Sequence, residues 1–133
     1  MEYKKGIISG IVGGIVFTLA SLTFAMIPWT SEWYMKAFPQ MTTAFAMVMW
    51  ALSYFAIGLF MGIVYSVVSK AVPGEGAKKG MNYGFMVWLL GLMWPIMMVG
   101  FAPVNVWLTS MITALITYTL TGLTIAGIYK KLK

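Results

Sequence analysis

The chain contains no cysteine and no histidine, and its only acids are Glu2, Glu32 and Glu75. Without cysteine there are no disulfides, thiolate metal sites or thiol redox chemistry, and the redox compartment leaves no mark on the sequence. Without histidine there is no imidazole to ligate zinc or haem, or to act as a base near neutral pH. Three scattered carboxylates form no acid–base pair, there is no triad and no phosphate-binding loop, and catalysis by this chain alone is not expected. Arginine and aspartate are also missing, so all nine basic residues are lysines. Only 9% of the 133 residues are charged, whereas a soluble domain of this size needs a far more polar surface.

Apolar residues, 61% of the chain, take up that space. Four runs, Gly6–Pro28, Met41–Ser69, Gly80–Phe101 and Val104–Tyr129, each reach the about 20 residues needed to cross a bilayer core. None holds an Asp, Glu, Lys or Arg. The pattern predicts an all-α integral membrane protein, a four-transmembrane-helix bundle. Eight lysines fall in three groups, Lys4/Lys5, Lys70/Lys78/Lys79 and Lys130/Lys131/Lys133, which four crossings bring to one side. The preference of lysine for cytoplasmic loops makes that side the cytosol, with both termini there, in what is read as a prokaryotic plasma membrane. The net charge of +6 therefore speaks for topology and anionic head groups rather than nucleic acid. Lys36 alone lies outside, four residues after Glu32. The opening resembles a secretory signal, but the apolar run is long for one and its Lys-Lys-Gly start recurs at Lys78, so it is read as a retained span.

That recurrence predicts an internal repeat. Lys4-Lys5-Gly6 and Gly10 match Lys78-Lys79-Gly80 and Gly84 at a step of 74, and Met47, Tyr54, Gly58, Leu59 and Tyr65 match Met111, Tyr118, Gly122, Leu123 and Tyr129 at a step of 64. The difference assigns about ten extra residues to the first outer loop. Residues 1–70 form one hairpin, 71–77 a cytoplasmic linker and 78–133 a second hairpin, all in one membrane domain. Two spans per unit give parallel repeats about an axis along the membrane normal. Within the longer loop, Trp29, Trp33 and Phe38 share a face, Thr30 or Ser31 is placed to cap, and Pro39 ends the segment. A short helix at about 29–39, lying in the outer interface with its rings toward lipid or a partner, is expected.

Small residues recur every fourth position: Gly6, Gly10 and Gly14; Gly58 and Gly62; Gly80 and Gly84; Gly122 and Ala126. In lipid, helices associate through close backbone approach and dispersion, which small residues permit, so these are the expected helix-packing positions. Thr109, Thr113, Thr117 and Thr121 share a face of the fourth run; each hydroxyl can bond its own helix one turn back, or the row can line a polar track. Pro95 must break the third run, since its ring clashes with the Gly91 carbonyl and it has no N–H. Tyr3, Tyr65, Tyr83 and Tyr129 fall near the inner boundary, and Trp29, Trp33, Tyr34 and Trp107 near the outer one, as an aromatic belt would. Tyr54 and Tyr118 lie deeper and, with Pro95, Thr113 and Thr117, mark the place for an internal site. Trp88 and Trp94 are the rings on which a bound ligand would stack. Thirteen methionines raise Cu(I), with Met93 and Met97 four apart, Met98 following, and Met47 and Met49 on the second run, but unaided methionine more often fills gaps, and no cofactor is expected.

In length and span count the chain resembles the small multidrug-resistance exporters. That resemblance implies a membrane-embedded Glu in the first span, and Gly6–Pro28 has none. Dual-topology fluoride channels are similar in size, yet their charge is balanced across the membrane and here it is not. Neither family is assigned. The expected role is a non-catalytic structural or accessory subunit that packs through small-residue helix faces against other membrane subunits or itself. The alternatives are a small transporter or channel for a neutral or apolar solute, and a lipid- or pigment-binding protein.

Overall fold

The computed structural model describes residues 2–132, apart from the side chains at positions 93–95. Across these residues the chain is helical and has no strand. The elements are α1 (Tyr3–Ala25), α2 (Pro28–Ala37), a 3₁₀ turn (Pro39–Thr42), α3 (Ala44–Val68), α4 (Gly76–Leu90), α5 (Met93–Met98) and α6 (Val104–Lys131). Three of them, α1, α3 and α6, are long and apolar enough to cross a membrane.

The run expected as a third span, Gly80–Phe101, is not one helix. It is divided between α4 and α5, and the break lies at Gly91–Leu92. The cause is the residue four positions on: Pro95 cannot donate to the Gly91 carbonyl and would clash with it, so the helix lets go there. The Gly91 N–H closes α4 by donating to Val87 and Trp88 carbonyls, both at 3.0 Å, and the Leu92 carbonyl restarts the winding by accepting from Ile96 at 3.0 Å. The 15 residues of α4 span about 22 Å, short of the about 30 Å of a hydrocarbon core. At its other end α4 begins two residues inside the expected linker. Gly74 (φ 96°) and Gly76 (φ 54°) occupy left-handed conformations that a side chain would strain.

Glycine decides how the helices meet. α1 crosses α3 with Gly10 and Gly14 backbone to backbone against Gly62 and Gly58, and α4 crosses α6 with Gly84 against Gly122 and Gly80 against Gly122 and Leu123. A Cβ on Gly10 would meet the Leu59 carbonyl oxygen at 2.6 Å, and one on Gly80 would meet Leu123 Cα at 2.8 Å. The two crossings have the same register: Gly10 to Gly80 and Gly14 to Gly84 are steps of 70, while Gly58 to Gly122 is a step of 64. The step of 74 read from the two Lys-Lys-Gly openings is therefore one helical turn away from the packing register, and the stretch from Gly14 to Gly58 is longer than that from Gly84 to Gly122 by six residues rather than ten. Gly6 packs on Ser66 and Gly62, whereas Gly76, 70 residues on, sits at the mouth of α4 with no atom near it.

A second face of α1 carries Ser9, Gly13 and Phe17 onto α6. A Cβ on Gly13 would lie 2.6 Å from Ile125 Cγ1, so α1 and α6 pack closely. The positions 70 residues later on α4 are Lys79, Tyr83 and Val87. Tyr83, at the position equivalent to Gly13 in this register, turns onto α3, and its hydroxyl donates to the Met61 carbonyl at 2.5 Å. Met61 is itself 64 residues before Ile125. α3 and α4 therefore meet through the Tyr83 and Tyr65 side chains, where α1 and α6 meet through the Ile125 side chain seated on Gly13. Tyr65 and Tyr83 were expected in the inner aromatic belt. They instead turn inward, ring to ring at 4.9 Å, because the hydroxyl of Tyr83 needs that carbonyl. Tyr83→Phe is expected to destabilise the fold by about 1 kcal/mol, the net worth of one buried hydrogen bond, as read from detergent-titration unfolding.

The short helix α2 folds across the ends of α5 and α6 remote from the lysine groups. Trp29 Nε1 donates to Thr109 Oγ1 at 2.9 Å, the Tyr34 hydroxyl to Met98 Sδ at 3.7 Å, and Trp33 stacks on Phe101 at 6.1 Å. Trp33 also meets Phe38 edge-on, so of the expected outer ring face Trp29 remains half exposed while Trp33 is turned onto its neighbours. Neither Thr30 nor Ser31 caps the helix: it starts at Pro28, whose fixed φ and missing N–H suit a first turn, with Ile27 ahead of it. Among the described residues the close ion pair is Lys5–Glu2 at 2.6 Å, and Glu32 and Lys36 form none. The Thr30 hydroxyl is buried without a hydrogen-bond partner. Thr30→Val keeps the shape and removes that unmet group, so it is expected to raise stability by roughly 1 kcal/mol in the same unfolding assay.

Candidate functional site

The internal site expected around Tyr54 and Tyr118 is filled. The two rings do not face each other, because Phe17 of α1 stands between them, 6.1 Å from Tyr54 and edge-on to Tyr118 at 5.0 Å. Tyr54 continues outward through Trp50 to Tyr34, each step about 6 Å between ring centres. The Tyr118 hydroxyl lies over Gly91, where α4 breaks. The threonine row offers no track. Thr109, Thr113, Thr117, Thr121 and Thr124 each donate to the carbonyl four residues back, at 2.6 to 2.9 Å. Thr117 and Thr121 are buried besides. Trp88 gives its indole N–H to the Met111 carbonyl at 3.2 Å, so that edge of the ring is already engaged. Of the thioethers, Met97 faces outward while Met98 is fully buried, so the two point apart. The Met93, Trp94 and Pro95 side chains lie outside the described residues.

A cleft of mixed polar and apolar lining lies at the lysine-bearing end. All four long elements deliver a terminus there: Tyr129 near the end of α6 donates to Glu2 Oε2 ahead of α1 at 3.3 Å, and Lys5 Nζ stands 6.0 Å from the Tyr129 ring centre. The Lys5 ammonium bonded to Glu2 holds that carboxyl below the usual carboxylate value. Beside this cluster is a groove of about 380 Å³ lined by Tyr65 and Ser69 of α3, the 74–76 turn, Lys79 of α4, and Ala126, Tyr129 and Lys130 of α6. The turn is held by Asn82, whose Nδ2 donates to the Pro73 carbonyl at 2.9 Å. Lys79 is half-buried while its neighbour Lys78 is exposed.

The two glycine crossings differ beside the groove at two positions of their shared register. Where α1 has Ser9 and Gly13 and closes on α6, α4 has Lys79 and Tyr83 and is held off α3. The packing glycines named from sequence, Gly6, Gly10, Gly14, Gly58, Gly62, Gly80, Gly84 and Gly122, all lie at helix crossings, with Ala126 against Gly80. Sequence reasoning passed over Gly13, Phe17 and Ile125, which form the seam between hairpins. Ser9, Gly13 and Phe17 at steps of four were the available signal. It was hidden because Gly13 adjoins the more regular Gly6-Gly10-Gly14 stripe. No protein-family model, no curated protein and no solved structure matches this chain.

Proposed function

We propose that the chain is a non-catalytic structural or accessory subunit of a membrane assembly. In this reading it spans the bilayer four times, α4 and α5 together making the third crossing, with both termini in the cytosol. The four-crossing reading is supported by the course of the broken segment. It starts among Lys78 and Lys79, runs beside α6 past Met111, and ends at Met98 under the outer helix α2. The shared register of the two glycine crossings supports a duplicated hairpin, with Gly13 and Tyr83 marking where the copies have diverged.

The single observation that carries the subunit role is the filled interior. Phe17 closes the space between Tyr54 and Tyr118, and the threonine hydroxyls are turned onto their own helix. With no Asp, Glu, Lys or Arg in any apolar run, such an interior offers no carboxylate or ammonium to couple transport, which supports the subunit reading. What remains for recognition is the outside: apolar helix faces and the rings of α2. Affinity capture of a terminally tagged protein from its own membranes in mild detergent is expected to recover a distinct membrane subunit, or a second copy, in fixed ratio. Recovery of a bare monomer, or uptake of a neutral solute by proteoliposomes holding only this chain, would overturn the reading and leave the transporter alternative.

A further inference from the structure

We propose that the groove at the lysine-bearing end is a seat for the phosphodiester of an anionic phospholipid, with Lys79 and Lys130 as its two counter-charges. This depends on the membrane placement and not on the subunit role. Lys79 reaches the groove from α4 and Lys130 from α6, and the Ser69 and Tyr129 hydroxyls border the same space. Neither lysine has a carboxylate within 4 Å among the described residues, whereas Lys5 is already neutralised by Glu2. Glu75 also lines the groove as the one opposing charge, which leaves the lining with a net charge of one positive. The wall is half apolar, made by Ala126 and the rings of Tyr65 and Tyr129. A mixed wall fits a head group whose glycerol and acyl chains continue into lipid better than it fits a free, fully hydrated anion.

The comparison of the two hairpins makes the groove more than a patch of surface lysine. At the corresponding place on α1, Ser9 is fully buried, its hydroxyl donating to the Gly6 carbonyl at 3.1 Å, and Gly13 lets α6 close over the gap. On α4 the serine position is a lysine, and the glycine position is a tyrosine that keeps the helices apart. The cleft and a charge to line it thus come from the same pair of positions.

The test is native mass spectrometry of the delipidated full chain titrated with phosphatidylglycerol, phosphatidylcholine or inorganic phosphate. The variant Lys79→Gln/Lys130→Gln is compared with Lys78→Gln/Lys131→Gln, which removes the same charge one residue away from the groove in each helix. Phosphatidylglycerol is expected to bind wild type, and the groove variant to lose about tenfold in affinity. The control variant is expected to lose no more than about threefold, the share of diffuse attraction. Equal losses in the two variants, equal binding of phosphatidylcholine, or displacement of the lipid by stoichiometric inorganic phosphate would each overturn the assignment. Should the double variant fail to fold, the two single groove variants, at about threefold each, carry the same comparison against Lys78→Gln. Loss of lipid selectivity with partner capture intact would remove this site alone, and the reverse would remove the subunit role alone.

Discussion

Gly58→Leu is expected to abolish the packed fold, or to destabilise it by about 3 kcal/mol or more, at the upper end of what overpacking produces. The Gly58 position abuts Gly14 Cα, and a Cβ there would sit 2.5 Å from the Gly14 nitrogen and 2.8 Å from the Gly13 carbonyl carbon. Every one of those neighbours is backbone. No rotamer change can relieve the overlap, so α1 and α3 must move apart along their whole crossing. Helices in lipid have little hydrophobic drive to hold them, and dispersion falls off within an ångström of separation. The displacement would spread, because the face of α1 beside this crossing carries Gly13 and Phe17 onto α6. Gly127→Leu is the matched control. It lies on the same kind of helix with nothing within 4 Å, so its effect is expected to stay within about 0.5 kcal/mol. Unfolding by titration with a denaturing detergent, followed by far-ultraviolet circular dichroism, separates the two. A Gly58→Leu protein that unfolds at the wild-type midpoint would contradict the backbone-to-backbone crossing.

Phe17→Ala is expected to lower stability by roughly 3 kcal/mol, toward the low end for removing a buried phenylalanine. The low end applies because part of the usual figure is transfer from water, and here the separated helices remain in lipid. What is lost is the contact of one ring with two others, 5.0 Å and 6.1 Å away, and the packing of α1 on α6 around Ile125. The remaining rings of Tyr54 and Tyr118 stand on different helices, so they cannot both collapse into the space. Phe17→Leu should recover part of the loss, which distinguishes a filling role from a specific aromatic one. The same variant bears on function. Beside a space opened between Tyr54 and Tyr118, the rings of Trp50 and Tyr34 remain packed edge-on beyond Tyr54, and Tyr65 and Tyr83 remain packed in the same buried cluster. Proteoliposomes of Phe17→Ala are therefore expected to stay as tight to small neutral solutes as wild type.

Much of the helical framework could be read in advance because its causes are local. The apolar runs around α1, α3 and α6 carry no charge to stop them, and Pro39 and Pro103 punctuate the chain where α2 ends and α6 begins. Pro95 told where α4 would break, four residues upstream of itself, since a proline acts on the carbonyl one turn back. The start of α2 was harder. Thr30 and Ser31 look like caps, but Pro28 with its fixed φ begins a helix as readily, and local rules do not choose between them. The step of 74 lies one turn from the packing register because Lys-Lys-Gly marks the charged end of an apolar run, while Gly14 on Gly58 and Gly84 on Gly122 are set by contact. The seat at the lysine-bearing end could not be read at all. Lys79 looks like any boundary lysine until Tyr83 is found holding α4 away from α3.

The amino-acid sequence by itself determined that this protein is helical and suited to lipid, which residues are small enough for helices to touch, and that no histidine, cysteine or embedded carboxylate is available for chemistry. Those properties follow from composition and from spacing within a turn or two of helix. Which helix each glycine meets, that Phe17 rather than open space separates Tyr54 from Tyr118, and that a cleft remains beside Lys79 were decided only by tertiary structure. Contacts between helices depend on the size of side chains far apart in the chain, and in lipid, where the faces of a helix are similarly apolar, no local pattern distinguishes the face that meets a neighbour from the face that meets hydrocarbon.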